Sequence, residues 1–250
     1  MIIMIELLLI PLALIMEIID SSLGMMYGTI LSPLLIGLGL DPLLVIPSIL
    51  ISQALGGLIG TFSHHKFKNA DFNGLTKHTK VTLAIVLPGL IAAFAGVFLA
   101  VRIPRDFLRL YVGILVILMG VLCLTKFQFR FKWWKIYLIG VISSFNKAFS
   151  GGGFGPITSA GKILGGLDPR ASIATTTYAE FPICLTSFLL YVSLSRIPNV
   201  YFPLYLSIGA ILGGLAGPYL CSKFKIGLLR KIVGLLAILS GMWILFRFVI

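Results

Sequence analysis

Residues 2–40 are apolar almost throughout and break once, at "DSSLG" (20–24). A helix needs about 20 apolar residues to cross the hydrocarbon core of a bilayer. The block is therefore too long for one crossing. A second block, 136–165, breaks in the same way at "NKAFSGGG" (146–153). Each block is followed by three ordinary apolar runs, about 43–62, 81–100 and 107–125, then about 171–193, 200–221 and 228–249. With 58% hydrophobic and only 11% charged residues, the chain cannot cover a water-facing surface. The pattern is that of an all-α polytopic membrane protein. A membrane β-barrel would alternate polar and apolar residues over segments of about ten, and the sequence does not.

The chain repeats itself. "GLDP" occurs at 39–42 and again at 166–169. An offset of 127 then pairs Gly24 with Gly151, Gly28 with Gly155, Ser32 with Ser159 and Gln53 with Glu180. Farther on, "LRLYVG" (108–113) matches "LRKIVG" (229–234) after a longer loop in the first half. We divide the chain into a first transmembrane repeat (1–125), a basic aromatic linker "KFQFRFKWWK" (126–135) and a second transmembrane repeat (136–250). The Trp, Lys and Arg of the linker suit a membrane interface.

The broken blocks predict two short helices joined by a glycine-rich tip, as a broken or re-entrant hairpin. Such backbone is tolerated at membrane depth only where it is buried in protein or lines a cavity. The net charge of +12 fits short cytoplasmic loops better than nucleic acid. Loops 63–80 and 126–135 are the most basic in the first half, and 222–231 in the second. Placing all three in the cytoplasm turns the second repeat upside down relative to the first, an arrangement found in many secondary transporters. Arg102, Arg105 and Arg109 then fall near the outer face, against the usual trend.

Two hairpins entering from opposite faces bring their tips together near the midplane. The helix after each tip offers free N–H groups and a positive dipole end to an anion. From the first tip we take Ser22, Gly24, Tyr27, Gly28 and Thr29 as candidate substrate-binding residues. From the second we take Lys147, Gly151, Gly152, Gly153, Gly155, Thr158 and Ser159. Gln53 and Thr176 join them from the spans that follow. For any single glycine, close helix packing is the simpler account. The paired tips with hydroxyls and a lysine favour a site. Glu180 is the most conspicuous mid-span acid, and a buried membrane carboxylate is a functional candidate by default. It is placed either as carrier of a coupling proton or as partner of Lys147, with a structural glutamate as the alternative. The depth of Glu6, Glu17 and Asp20 is left open. His64 and His65 are expected at the interface.

The scattered Cys123, Cys184 and Cys221 give no metal spacing and no disulfide framework. No nucleophile elbow, P-loop or HExxH motif is present. No catalytic residue, cofactor or metal site is expected. The partners expected are a small anionic substrate and membrane lipid, with no nucleic acid. A homodimer is compatible with the chain.

The two hairpin motifs, "GMMYGTILSPLLIGLGLDP" and "GGGFGPITSAGKILGGLDP", are followed by "IPSILISQ" and "IATTTYAE". In this duplicated form the chain resembles the sulfite exporter TauE/SafE family over nearly its whole length. The resemblance implies a prokaryotic cell-membrane secondary transporter, an exporter of a small sulfur-containing anion such as sulfite or an organosulfonate. A membrane assembly factor or a membrane enzyme without transport activity is the alternative.

Overall fold

The computed structural model describes residues 7–124, 132–164, 167–195, 200–223 and, beyond them, 235, 238, 239, 241–243, 245 and 246. The described residues form helices joined by short turns. In chain order these are α1 (Leu9–Leu23), α2 (Tyr27–Gly37), α3 (Pro42–Lys66), α4 (Lys77–Ala100), α5 (Arg105–Leu124) and α6 (Trp133–Ser150). A π-helical turn, Pro156–Ala160, runs into α7 (Gly161–Leu164). It is followed by α8 (Pro169–Leu194) and α9 (Tyr201–Lys223). The chain is an all-α membrane protein, and α3, α4, α8 and α9 are each long and apolar enough to cross a bilayer. Residues 126–131 of the predicted linker and 224–231 of the last basic loop lie outside the described residues. Trp133 and Trp134, read as linker, open α6 instead.

Both long blocks fold as the hairpins their length demands. α1 stops where Gly24 takes a left-handed φ of +69°, with its N–H returned to the Asp20 carbonyl. α6 stops in the same way at Gly151, φ +76°, bonded to the Lys147 carbonyl. A glycine after the last helical turn accepts this conformation without a Cβ clash. α2 has 11 residues, about 16 Å of helix, roughly half the hydrocarbon thickness. The arm after the first tip is thus too short to span the bilayer.

The helices after the hairpins start at opposite ends of α4. Asp41 caps α3 by accepting from the Leu43 N–H at 3.0 Å, with Pro42 at the first helical position. Its carboxylate pairs with Arg105, just past the C-terminus of α4, at 3.1 Å. Asp168 caps α8 in the same manner, accepting from the Ala171 N–H at 2.9 Å before Pro169. Asp168 lies instead beside Lys77, the first residue of α4.

Each hairpin packs on the other half of the chain: α1 lies along α9, and α6 lies along α4. Small residues make this possible. A Cβ at Gly209 would lie 2.7 Å from that of Ala13, and Cβ atoms at Gly213 and Gly217 would lie 2.6 Å from those of Glu17 and Ser21. On the other side a Cβ at Gly96 would sit 3.1 Å from that of Ala148, and one at Gly140 would sit 2.9 Å from the Ile85 Cα. At the centre α3 crosses α8 with reversed direction. Gln53 meets Glu180, whereas Gly57, a turn later on α3, faces Thr177, almost a turn earlier on α8.

Candidate functional site

The hairpin tips meet backbone to backbone. A Cβ added to Gly28 would collide with the Gly151 carbonyl oxygen, and one added to Gly155 would collide with that of Gly24. One at Gly152 would stand 2.8 Å from the Gly28 oxygen. The glycines therefore allow the tips to touch each other. Hydrogen bonds stitch the contact. Ser32 Oγ donates to the Ser150 carbonyl at 2.6 Å, and Ser159 Oγ donates to the Gly24 carbonyl at 2.8 Å. The Gly153 N–H donates to Thr29 Oγ1 at 3.3 Å. Thr176 shares a 2.8 Å hydrogen bond with Ser159 and so holds α8 against the second tip. At the position where the second tip has Gly153, φ +78°, the first tip has Met26 at φ +142°. That is a sparsely populated conformation for a side-chain-bearing residue, maintained by the surrounding packing.

Beside the tips lies a charged cluster sealed from solvent. Lys147, 1% exposed, forms an ion pair with Glu180 at 3.3 Å and donates to Gln53 Oε1. The Gln53 amide donates to Glu180 Oε1 at 2.9 Å and to Asp20 Oδ2 at 3.2 Å. Asp20 Oδ1 accepts from the Tyr27 N–H at 2.9 Å. The chain's own carboxylate thus occupies one of the helix-start donors of the first tip. Glu17 adds a third carboxyl. One oxygen accepts from Ser21 Oγ at 2.7 Å, and the other has no hydrogen-bond partner among the described residues. Asp20 and Lys147 are related by the same offset of 127 as Gln53 and Glu180. The cluster is thus built from two pairs of repeat-equivalent positions whose charges differ.

The remaining candidates sit as follows. Tyr27 is fully buried and donates to Ser52 Oγ at 2.8 Å. Ser22 Oγ bonds the carbonyls of Ile18 and Gly217, which ties α1 to α9 rather than facing the tips. Thr158 Oγ1 donates to the Phe154 carbonyl of its own helix at 2.7 Å.

Two buried groups escape the sequence reading. Lys162 is 0% exposed, and its ammonium donates to Thr175 Oγ1 at 2.7 Å. Its only signal is a lone cation in "SAGKILGG". His64, expected at the interface, is buried within the protein near the end of α3. The ring is 0% exposed, packed under the turn after α3, with Nδ1 3.0 Å from Asn69 Nδ2. The Asn69 side chain in turn donates to the Pro218 carbonyl of α9 at 2.9 Å, and this contact closes the turn over the ring. His65, its neighbour, is half-exposed.

Comparison with known proteins agrees with this architecture. The family model described as "Sulfite exporter TauE/SafE" matches residues 9–244. The chain is similar to the probable membrane transporter protein YtnM of Bacillus subtilis, 29% identical over 233 residues that cover 87% of this chain and 75% of the relative. No solved structure matches the chain. The match runs from the first hairpin past the end of α9 and takes in both glycine tips and the cluster between them, so the chain belongs to the sulfite exporter TauE/SafE family of membrane transporters.

Proposed function

We propose that the protein is a secondary exporter of a small sulfur-containing anion, sulfite or an organosulfonate, in the prokaryotic cell membrane, and that it couples transport to protons through Glu180. The observation that carries this reading is the buried cluster at the meeting point of the two tips: one lysine among three carboxyls. An anion and the ionised Glu180 compete for Lys147. Protonating Glu180 frees the ammonium, which then serves the substrate together with donors released as the tips part. Anion and proton therefore occupy the site together and move in one direction, so export occurs when the outward anion gradient exceeds the inward proton gradient. The candidate contacts are Lys147, Gln53, Thr29, Gly28, Gly152, Gly153, Ser159 and Thr176.

Alternating access in this reading uses inverted repeats. Its support is that α3 and α8 are repeat equivalents, cross in opposite directions and start at opposite ends of α4. The 63–80 turn also packs on the C-terminal end of α9, where the Phe67 ring meets Tyr219 edge-on at 5.4 Å between centroids. Cysteines placed at Leu75 and Lys223, in a variant without native cysteines, should both label from the cytoplasmic side. Labelling from opposite sides removes the inverted arrangement.

The test of coupling is a pair of assays on one reconstituted variant. Glu180→Gln keeps size and hydrogen bonding but cannot titrate. Substrate exchange across proteoliposomes should continue, while flux driven by a pH gradient should fall at least about tenfold, typical of losing a required proton carrier. Full pH-driven sulfite flux in Glu180→Gln rules out the coupling role. Loss of both activities together with thermal stability assigns Glu180 a structural role.

A further inference from the structure

A pocket of about 80 Å³ opens between the N-terminal ends of α4 and α8, lined among others by Lys77, His78, Asp168, Ser172 and Thr175. It is separate from the tip cluster. We infer that it is a second anion site, a receiving chamber for a small oxyanion on its way to the hairpin tips. The proposal rests on the transporter reading only for the anion's destination. The occupancy of the pocket is a separate matter.

Three observations carry it. The first is a buried cation directly behind the wall. Lys162 Nζ is 2.7 Å from Thr175 Oγ1, and Thr175 lines the pocket. Among the described residues no carboxylate pairs with Lys162 within 4 Å, whereas Lys147 has Glu180. An ammonium removed from water without a counter-ion is costly, and an anion in the chamber offsets that cost through a single hydroxyl. The second is an unpartnered donor. Ser172 is 1% exposed, lines the pocket, and its Oγ has no hydrogen-bond partner among the described residues. Thr175 and Thr176, on the same helix, return their hydroxyls to the carbonyls of Ala171 and Ser172. Ser172 Oγ does not. The third is the balance of the lining. His78 Nδ1 accepts from the Asp71 N–H at 2.9 Å, so the neutral ring carries its proton on Nε2 and acts as a donor. Lys77 adds an exposed cation at the mouth. The opposing acid is Asp168, whose carboxylate is engaged in capping α8.

Size and continuity fit the assignment. A space of this volume holds several waters or one small oxyanion, and no nucleotide or cofactor. From Thr175 the next residue is Thr176, hydrogen-bonded to Ser159, which is bonded to the tip carbonyl of Gly24. Consecutive residues of α8 thus reach the chamber on one side and the place where the tips meet on the other.

The test measures charge selectivity in the pocket and needs no transport. Ser172→Cys in a variant without native cysteines is labelled with anionic and cationic methanethiosulfonates of similar size, each rate divided by that of Leu75→Cys, which stands on the exposed turn. Ala171→Cys lines the same pocket and replaces Ser172→Cys if the latter is not monodisperse. We expect a normalised preference for the anionic reagent of about tenfold, the lower end of electrostatic focusing in a charged cleft. Lys162→Met should abolish the preference and Lys162→Arg should retain it. Inorganic sulfate should protect the cysteine, and potassium gluconate at equal ionic strength should not. No preference over Leu75→Cys, a preference unchanged in Lys162→Met, or equal protection by both salts overturns the site. Failure of the Glu180→Gln assays with this preference intact separates the two readings.

Discussion

Gly28→Ala is expected to break the contact between the hairpin tips, although it adds a single methyl group. The new Cβ would overlap the Gly151 carbonyl oxygen, and both atoms are fixed to backbone held by a left-handed cap at one end and a helix start at the other. Neither side can rotate away, so the tips must separate. Overpacking of this kind costs about 1–3 kcal/mol. The loss should appear as a lower Tm in detergent and as faster amide exchange around residues 150–158. The Gly153 N–H is the most sensitive reporter, since its acceptor Thr29 Oγ1 lies one residue from the substitution. About thirtyfold faster exchange corresponds to the middle of that range. Wild-type Tm together with wild-type exchange in that segment would show that the tips are not in contact in the resting protein. The sequence alone assigns Gly28 to exposing backbone for a ligand. The structure gives it a more severe constraint, because the neighbour it must admit is the other repeat.

The second large effect is expected at Lys147. Lys147→Met preserves much of the side chain's bulk but leaves Glu180, Asp20 and Glu17 without their ammonium, at a site only 1–3% exposed. Removing one partner of a buried ion pair costs about 3–5 kcal/mol. Adding Glu180→Gln in the same protein removes the stranded carboxyl from the pair and should restore much of the loss. Thermal unfolding of the two single variants and the double variant gives the coupling directly. Additive losses would mean that the two side chains do not interact in the folded protein. Substrate affinity should fall in Lys147→Met and stay low in the double variant, because rescuing stability does not return the cation.

The sequence reading reached much of this site, and its misses are specific. The offset of 127 joins Gln53 to Glu180 and the two tips to each other because glycines and hydroxyls leave a recognisable trace in both copies. The same offset places Asp20 on Lys147, yet opposite charges in equivalent slots do not look like a repeat. The pair is recognised only when the fold brings both against Gln53 and Glu180. Lys162 and His64 carry no such trace. His64 is buried because the turn after α3 folds over it, and Lys162 is buried with its ammonium directed at Thr175 of α8. Ser22 shows the converse. It stands two residues before the tip glycine, but its position on the helix turns its hydroxyl toward α9 and away from the tip.

The exchange of hairpins between the two halves also governs how the molecule is made. α1 leaves the ribosome early, but the glycine ledge it rests on, Gly209, Gly213 and Gly217, is synthesised almost a whole chain later. Loop closure over such a separation is slow and entropically demanding. Until α9 arrives, Glu17 lacks the Gly213 surface it packs against in the folded protein. Neither half is a self-sufficient folding unit, despite the repeat in their sequences.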